Sequence, residues 1–177
     1  MIRKNTKLAI KEYFFLNPTV KLRVRGVERA LNLSLPSVIR YCKELEKEEI
    51  LRIIKIGDIV FYTANRINET YLLEKKLFNI KQIHDSDLLN YIKETLNNPA
   101  IVLFGSYANG EDTENSDIDL YIETPSKKSI NLEKFEKMLQ RKIQILKSNN
   151  IKKIPNYHLA NNIINGITLN SHIEVFR

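Results

Sequence analysis

The first fifty residues contain three stretches in which apolar residues recur every three or four positions, the spacing of an amphipathic helix. The first stretch begins at Thr6, the expected N-cap, and ends at Asn17-Pro18, because proline cannot continue a helix. The second lies within residues 22–31, and the third covers Leu35–Lys47 behind Ser34, a favourable N-cap residue. The pattern therefore predicts three helices.

Residues 50–64 change to β-branched and aromatic runs, the composition of strands. Two such runs flank Gly57-Asp58, a dipeptide suited to a two-residue turn because glycine accepts a positive φ. The pattern predicts a β-hairpin after the third helix. Residues 67–84 return to helical spacing without Gly or Pro, so they are expected to form an ordered connector and a dimerisation surface of a homodimer.

The second half alternates helical and strand patterns. A helix capped by Asp85 or Ser86 is expected to end at Asn98-Pro99, and the apolar run AIVLF, residues 100–104, predicts a buried strand. Further segments predict a strand at residues 116–123, a helix at 130–139, a strand at 141–147, a helix ending at Asn165-Gly166 and a terminal strand at 172–176. The fold class is expected to be α+β, with a small α/β domain around a short mixed sheet in the second half.

The net charge of +7 is confined to the first half of the chain. Residues 1–78 hold 16 Lys and Arg against 9 Asp and Glu, whereas residues 79–177 hold 12 of each. A small domain this basic has the electrostatic footprint of one that contacts phosphates. The charge predicts a nucleic acid partner for the first half, with a solvated basic surface as the alternative.

Composition excludes several other classes of protein. Cys42 is the only cysteine, so it forms no intrachain disulfide and is expected in the core. The three histidines lack the spacing of a helical metal pair. No apolar run approaches the roughly 20 residues of a membrane helix, and the N-terminus lacks a secretory signal pattern. We expect a cytoplasmic protein without a membrane partner.

The segment VRGVERALNLSLPSVIRYCKELEKEEILRIIKIGDIVFY resembles the winged helix-turn-helix proteins, over about residues 5–64. The resemblance implies that the third helix enters the major groove of double-stranded DNA while the hairpin, the wing, contacts the backbone. The side chains expected to face the groove are Ser37, Arg40, Tyr41 and Lys43. Phosphate contacts are expected from Arg52 and Lys55 on the wing and from Arg23, Arg25 and Arg29 around the second helix. A protein-docking role is the alternative.

A second set of polar residues follows the strand AIVLF. Gly105-Ser106 stands at its end, and ten residues later Asp117 and Asp119 alternate with apolar residues, so both carboxylates lie on one face of the next strand. A glycine delivered from a strand into a helix start offers backbone N–H groups to a phosphate, and paired carboxylates can hold Mg²⁺. The spacing predicts a phosphate and divalent metal site.

Single positions exclude two other motifs of this kind. A Walker A loop requires a lysine after its last glycine, and no lysine follows Gly110. An EF-hand beginning at Asp112 would need glycine at its sixth position, where the chain has Asp117. A purely structural acidic loop before an edge strand remains as the alternative.

The residues LFGSYANGEDTENSDIDL resemble the nucleotidyltransferase superfamily that includes DNA polymerase beta, and most closely its minimal members, whose pattern is G-S-x10-D-x-D. The resemblance implies a small α/β fold in which Gly105 and Ser106 bind a nucleoside triphosphate. It also implies that Asp117 and Asp119 are catalytic and hold Mg²⁺ or Mn²⁺. A nucleoside monophosphate would then pass to an acceptor hydroxyl with release of pyrophosphate.

Two positions depart from the pattern of that superfamily. A third carboxylate is usual on the next central strand, where RKIQILK has Gln144, a residue that cannot serve as an anionic ligand or as a base. The arginine usual in S-x-A-R-G is replaced by Asn109. Glu123, Glu133 and Glu136 remain as carboxylates that could substitute in space.

Together the patterns predict a winged helix-turn-helix domain at residues 1–66, a helical connector at 67–84 and a minimal nucleotidyltransferase domain at 85–177. The first hypothesis is an enzyme that transfers a nucleoside monophosphate, with AMP as a candidate, to a hydroxyl of a protein or small molecule. The alternative is a DNA-binding transcriptional regulator whose degenerate transferase domain acts as a nucleotide sensor or dimerisation module. Gln144 and Asn109 favour this alternative.

Overall fold

The structure, a computed structural model, describes residues 5–176. It contains two compact units, the first ending at Phe78 and the second beginning at Asn79. The division falls within one helix, Glu69–Asp85, and so inside the segment 67–84 that the sequence predicts as a connector. None of the helices described is long and apolar enough to cross a membrane. The division of the chain into a DNA-binding domain, a helical connector and a transferase domain stays a prediction.

The first unit contains three helices followed by a hairpin, in the predicted order. Its elements are α1 (Thr6–Leu16), α2 (Val24–Leu31), α3 (Leu35–Lys47), β1 (Leu51–Ile56), β2 (Ile59–Ala64) and the first part of α4 (Glu69–Asp85). The cap of α1 differs from the expectation, because Thr6 already lies in the first turn. Asn5 is the N-cap, and its Oδ1 accepts a 3.3 Å hydrogen bond from the N–H of Leu8. Assignment of this unit to the winged helix-turn-helix family stays a prediction.

One apolar core joins these helices to the hairpin. Its buried residues include Ile10, Phe14, Phe15, Val27, Val38, Cys42, Leu45, Ile50, Leu51 and Tyr62. The chain ahead of α2 also joins the hairpin, because Leu22 and Tyr62 exchange backbone hydrogen bonds of 3.0 and 2.8 Å. On α3, the residues Val38, Cys42 and Leu45 are buried at helical spacing. The polar residues of α3 therefore lie away from the core.

The second unit is built on a four-stranded mixed sheet. Its elements after α4 are α5 (Leu88–Leu96), β3 (Ala100–Phe104), α6 (Gly105–Asn109), β4 (Ile118–Glu123), α7 (Glu133–Leu139), β5 (Ile143–Ser148), a 3-10 turn (Ile151–Lys153), α8 (Tyr157–Ile164) and β6 (Ile167–Asn170). The strand order is β5-β4-β3-β6, in which β4 runs parallel to β5 and the other pairs are antiparallel. The α+β class with a small mixed sheet is confirmed.

The last strand lies earlier in the chain than the sequence analysis predicts. The structure has β6 at Ile167–Asn170, paired with β3, and no strand at residues 172–176. Gly166 permits this early start, because a Cβ at that position would lie 2.5 Å from the carbonyl oxygen of Leu103. The chain can therefore pass from α8 onto the edge of β3 within two residues.

The start of α5 also differs from the expectation. The helix α4 continues through Asp85, and the N-cap of α5 is Asp87. Ser86 still organises the turn, because its buried hydroxyl donates a 2.8 Å hydrogen bond to the carbonyl of Ile83 and accepts one of 3.3 Å from the N–H of Leu88. Two residues thus suffice to connect the two helices.

Cys42 provides a direct test of the first core. Its side chain is 0% exposed, and burial raises the pKa of its thiol to about 12. Because the thiolate is the reactive form, we predict that Ellman's reagent does not label the folded protein even when the pH is raised from roughly 7 to roughly 9. Unfolding in urea should expose one reactive thiol per chain, and Cys42→Ala should react in neither state. Rapid labelling of the folded protein would show that α3 does not pack as described.

Candidate functional site

The candidate site is centred on a close approach between a glycine and a carboxylate. The strand β3 ends at Phe104, whose register partner on β4 is Asp119. Gly105 then begins α6 with a φ of +74°, and a Cβ on this residue would lie 2.5 Å from Oδ2 of Asp119. Both the backbone conformation and the carboxylate therefore disfavour any side chain at position 105.

Asp117 and Asp119 lie two residues apart at the start of β4, so their side chains share one face. Both residues are partly exposed, whereas Ile118 and Leu120 are buried. Burial and, to a lesser degree, the negative charge of Asp117 raise the pKa of Asp119 above its usual range. The ionised pair is therefore destabilised in the protein alone, and a bound cation would offset both effects.

The short helix α6 carries two further residues of the motif. Ser106 is its second residue and is partly exposed, next to Gly105. The first N–H groups of any helix have no intrahelical acceptor, so a helix start offers donors to a ligand. Asn109, which stands where the resemblance expects arginine, is exposed, and its Nδ2 lies 3.4 Å from Oε2 of Glu111. Asn109 thus contacts the loop that follows α6.

Gln144 lies beside both aspartates. The parallel register of β4 and β5 pairs Gln144 with Asp119. The side-chain Nε2 of Gln144 donates a hydrogen bond to Oδ2 of Asp117. The position expected for a third carboxylate therefore holds a neutral hydrogen-bond donor directed at one of the other two.

Glu123 is engaged at the far end of β4. Its Oε2 accepts hydrogen bonds of 2.9 Å from the hydroxyl of Tyr121 and 2.7 Å from the N–H of Ile151. It lies four positions beyond Asp119 on the extended strand, a distance of about 13 Å. Glu123 therefore holds the 3-10 turn and does not replace the third carboxylate.

Glu133 and Glu136 line an open cleft of about 650 Å³ together with Asp117. Oε1 of Glu136 accepts a 3.0 Å hydrogen bond from the N–H of Ile143, so this carboxylate supports the start of β5. Within residues 5–176, no group of three or more Asp, Glu, His or Cys side chains is arranged so that it could hold a metal ion. The site therefore offers two carboxylates, those of Asp117 and Asp119.

The outer face of α3 carries the four side chains predicted to enter a DNA groove. Arg40 and Lys43 are exposed, and Ser37 and Tyr41 are partly exposed. The guanidinium of Arg40 lies 4.3 Å from the centroid of the Tyr41 ring, donates a hydrogen bond to the Tyr41 hydroxyl and approaches the carboxylate of Glu44 to 3.6 Å. Arg40 is therefore held along the helix surface.

The basic residues outside α3 are spread over several surfaces. Arg52 and Lys55 are both exposed on β1, but a separation of three residues places them on opposite faces of the hairpin. Arg23, Arg25 and Arg29 are exposed at α2. One face of the hairpin thus presents only one of the two predicted wing contacts.

Sequence reasoning missed a buried polar group in the second unit. Asp112 is 1% exposed and Arg141 is 8% exposed, and Nη2 of Arg141 lies 4.0 Å from Oδ2 of Asp112. The side-chain amide of Asn79 donates a 2.7 Å hydrogen bond to Oδ1 of the same carboxylate. These three residues are far apart in the chain, and nothing local distinguishes Asp112 from the acidic residues around it.

The close approach of Gly105 to Asp119 can be tested with a matched pair of glycines. Gly57 also has a positive φ, of +59°, but a Cβ there would meet nothing within 4 Å. We predict that Gly57→Ala lowers the free energy of unfolding by about 1–2 kcal/mol, the cost of the backbone conformation alone. Gly105→Ala should lower the free energy of unfolding by about 1–3 kcal/mol more than Gly57→Ala does, because the new methyl group is overpacked against Asp119. Urea unfolding followed by circular dichroism measures both losses.

Asp119→Ala provides the control, because it removes the oxygen that the new methyl group would meet. The additional loss should largely disappear in the double variant Gly105→Ala with Asp119→Ala. Equal losses for Gly105→Ala and Gly57→Ala would contradict the contact.

A comparison with protein families finds a match, which lies in the second unit. Residues 85–168 match the family described as "Nucleotidyltransferase domain". The matched segment contains Gly105, Ser106, both aspartates and Gln144. Neither a comparison with curated proteins nor one with solved structures found a significant match. The family match supports a nucleotidyltransferase domain in this segment and, in general terms, a nucleotidyltransferase-like function.

Proposed function

We propose that the second unit binds a nucleoside triphosphate with Mg²⁺ or Mn²⁺ and transfers a nucleoside monophosphate, AMP being the first candidate, to a hydroxyl of a protein or small molecule. The observation that carries this proposal is the approach of Gly105 to Asp119. The positive φ of Gly105 and the like charges of Asp117 and Asp119 do not stabilise the fold. Binding of a ligand would explain why the chain has both features. The family match of residues 85–168 supports the same reading.

The two aspartates fit a hard divalent cation. Carboxylate oxygens are the protein ligands that Mg²⁺ prefers, and its remaining positions are commonly filled by water and phosphate oxygens. A bound cation would favour the ionised form of Asp119, which burial and the charge of Asp117 disfavour by raising its pKa. When bound, the metal would neutralise charge on the phosphoryl group and lower the pKa of the acceptor hydroxyl.

The chain's own residues have separate roles in this proposal. Gly105 and Ser106 bind the triphosphate through the backbone and the hydroxyl at the start of α6. Gln144 orients Asp117 by donating to Oδ2, which leaves Oδ1 available as a ligand. Because Gln144 is neutral, the site carries two negative charges rather than three, and we expect weaker metal binding than at a three-carboxylate site.

The hydrogen bond from Gln144 to Asp117 also favours a second candidate function. It stabilises the aspartate pair without a cation, and Gln144 cannot accept a proton from an acceptor hydroxyl. In this candidate the second unit senses a nucleotide without turnover, and the first unit regulates transcription. The two candidates share nucleotide binding and differ in transfer.

Transfer can be tested with labelled ATP, CTP, GTP or UTP, Mg²⁺ or Mn²⁺, and cell extract. We predict transfer of label to a protein or small molecule, and loss of that transfer in Asp117→Ala with Asp119→Ala. Gln144→Glu should raise the rate about tenfold or more, because it supplies a third carboxylate to the metal site. Lys152→Ala, on the 3-10 turn, is a control that should leave the rate unchanged.

The outcomes separate the two candidates. Nucleotide binding measured by calorimetry, with no transfer by the parent protein and none by Gln144→Glu, would favour the sensor. No binding of any of the four nucleotides would contradict both.

We also propose that the first unit binds double-stranded DNA through α3 and the hairpin. The support is the concentration of the net charge of +7 in residues 1–78 and the exposure of Arg40 and Lys43 on one helix. Arg40 must exchange its contacts with Tyr41 and Glu44 for contacts with a base or phosphate.

DNA binding can be tested by fluorescence anisotropy at several salt concentrations. We predict that Arg40→Ala with Lys43→Ala weakens binding and makes the slope of log K against log salt less steep by about 1.8, as expected when two cationic side chains that displace counterions from the DNA are lost. Lys152→Ala with Lys153→Ala removes two exposed charges from the second unit and should change neither quantity. Unchanged binding by the α3 variant would show that α3 is not the recognition helix.

A further inference from the structure

The buried group around Asp112 connects four segments of the second unit. Besides its bond to Asp112, the side-chain amide of Asn79 donates a 2.9 Å hydrogen bond to the carbonyl of Tyr107. Asn79 belongs to α4, Tyr107 to α6, and Asp112 to the loop between α6 and β4. Arg141 stands two residues before β5. Charged side chains are rarely buried to this degree unless they are paired.

Three of these segments, those of Tyr107, Asp112 and Arg141, adjoin residues of the candidate site in the chain. Tyr107 follows Gly105 and Ser106 on α6, and Arg141 precedes Gln144. Arg141 also lines the cleft that Asp117 borders. The buried group therefore lies at the junction of the segments that carry the triphosphate-binding residues, the aspartates and Gln144.

A tight turn lies in the loop that connects Asp112 to Asp117. The N–H of Thr113 donates a 2.9 Å hydrogen bond to Oγ of Ser116, and the N–H of Ser116 donates one of 3.1 Å to the carbonyl of Thr113. Beyond Asp117, the N–H of Ile118 donates a 2.8 Å hydrogen bond to the carbonyl of Lys142. The loop is thus fixed at Asp112, closed on itself, and fixed again at the strand.

We propose that Asn79, Asp112 and Arg141 form a buried clamp that positions Asp117 for its ligand. The inference rests on the proposed function of the second unit. All three are positioning residues, because they act on the site through the loop and not by contact with a substrate. The hydrogen bonds from Asn79 are directional, and Arg141 attracts the carboxylate of Asp112 from another segment, so together they fix the orientation of the loop.

Asp112→Asn is the sharpest test, because it keeps the shape of the side chain and removes the charge that faces Arg141. We expect the affinity for Mn²⁺, measured by calorimetry, to fall about tenfold or more, the usual effect of removing a residue that supports a metal ligand. Hydrogen exchange of the Thr113, Ser116 and Ile118 amides should accelerate more than that of amides in β3.

A matched control separates positioning from loss of stability. Ile163→Ala truncates a fully buried residue of α8 whose core cluster does not include Tyr107. It should lower the urea midpoint, accelerate exchange without selectivity for the loop, and leave Mn²⁺ affinity unchanged below the midpoint. Asn79→Ala, which removes donors to both Asp112 and Tyr107, is the second variant if Asp112→Asn does not fold.

The results distinguish the clamp from the proposed function. A lower urea midpoint in Asp112→Asn with unchanged Mn²⁺ affinity and unchanged loop exchange would overturn the clamp. If the parent protein binds no Mn²⁺, the proposed metal site fails by itself. Selective loosening of residues 113–118 would then still support positioning of the loop, and uniform loosening would overturn it.

Discussion

The candidate site depends on the absence of a side chain at position 105. The antiparallel register of β3 and β4 places Asp119 beside Phe104, where β3 ends, so the chain must leave the sheet past a carboxylate. With a φ of +74° and no Cβ, Gly105 turns into α6 while Oδ2 of Asp119 occupies the space that a methyl group would take. The backbone N–H groups at the start of α6 and the carboxylate of Asp119 consequently lie close together.

This proximity opposes stability in the protein alone. Burial and the charge of Asp117 both disfavour the ionised form of Asp119, and a third carboxylate at position 144 would add further repulsion. Gln144 replaces that repulsion with a hydrogen bond to Asp117. Glutamine in place of a carboxylate thus stabilises the protein alone and would weaken the proposed binding of a cation, the expected direction of a trade-off between stability and function.

Local patterns predicted most elements and the candidate residues, because their signals lie within a few positions. The bounds of α3 follow from helical spacing and a cap at Ser34, and the shared face of Asp117 and Asp119 follows from the period of a strand. Contacts between distant segments were not predictable in this way. The position of β6 depends on how Gly166 fits against Leu103. That Arg52 and Lys55 lie on opposite faces of the hairpin could have been predicted from the sequence, since the two-residue period of a strand alone shows it.

The burial of Asp112 shows that a precise orientation of the loop before β4 and the stability of the fold are separate requirements. An apolar residue at this site could bury more hydrophobic area and would avoid removing a charge from water, and such replacements of buried ion pairs are often neutral or stabilising. Apolar contact has no preferred direction, however, so the turn at Thr113–Ser116 could settle in several orientations. Partners on two sides, Asn79 at one oxygen and Arg141 at the other, select one orientation. With Asp117 as the proposed metal ligand five residues later, the loop would gain more from that selection than from additional apolar burial.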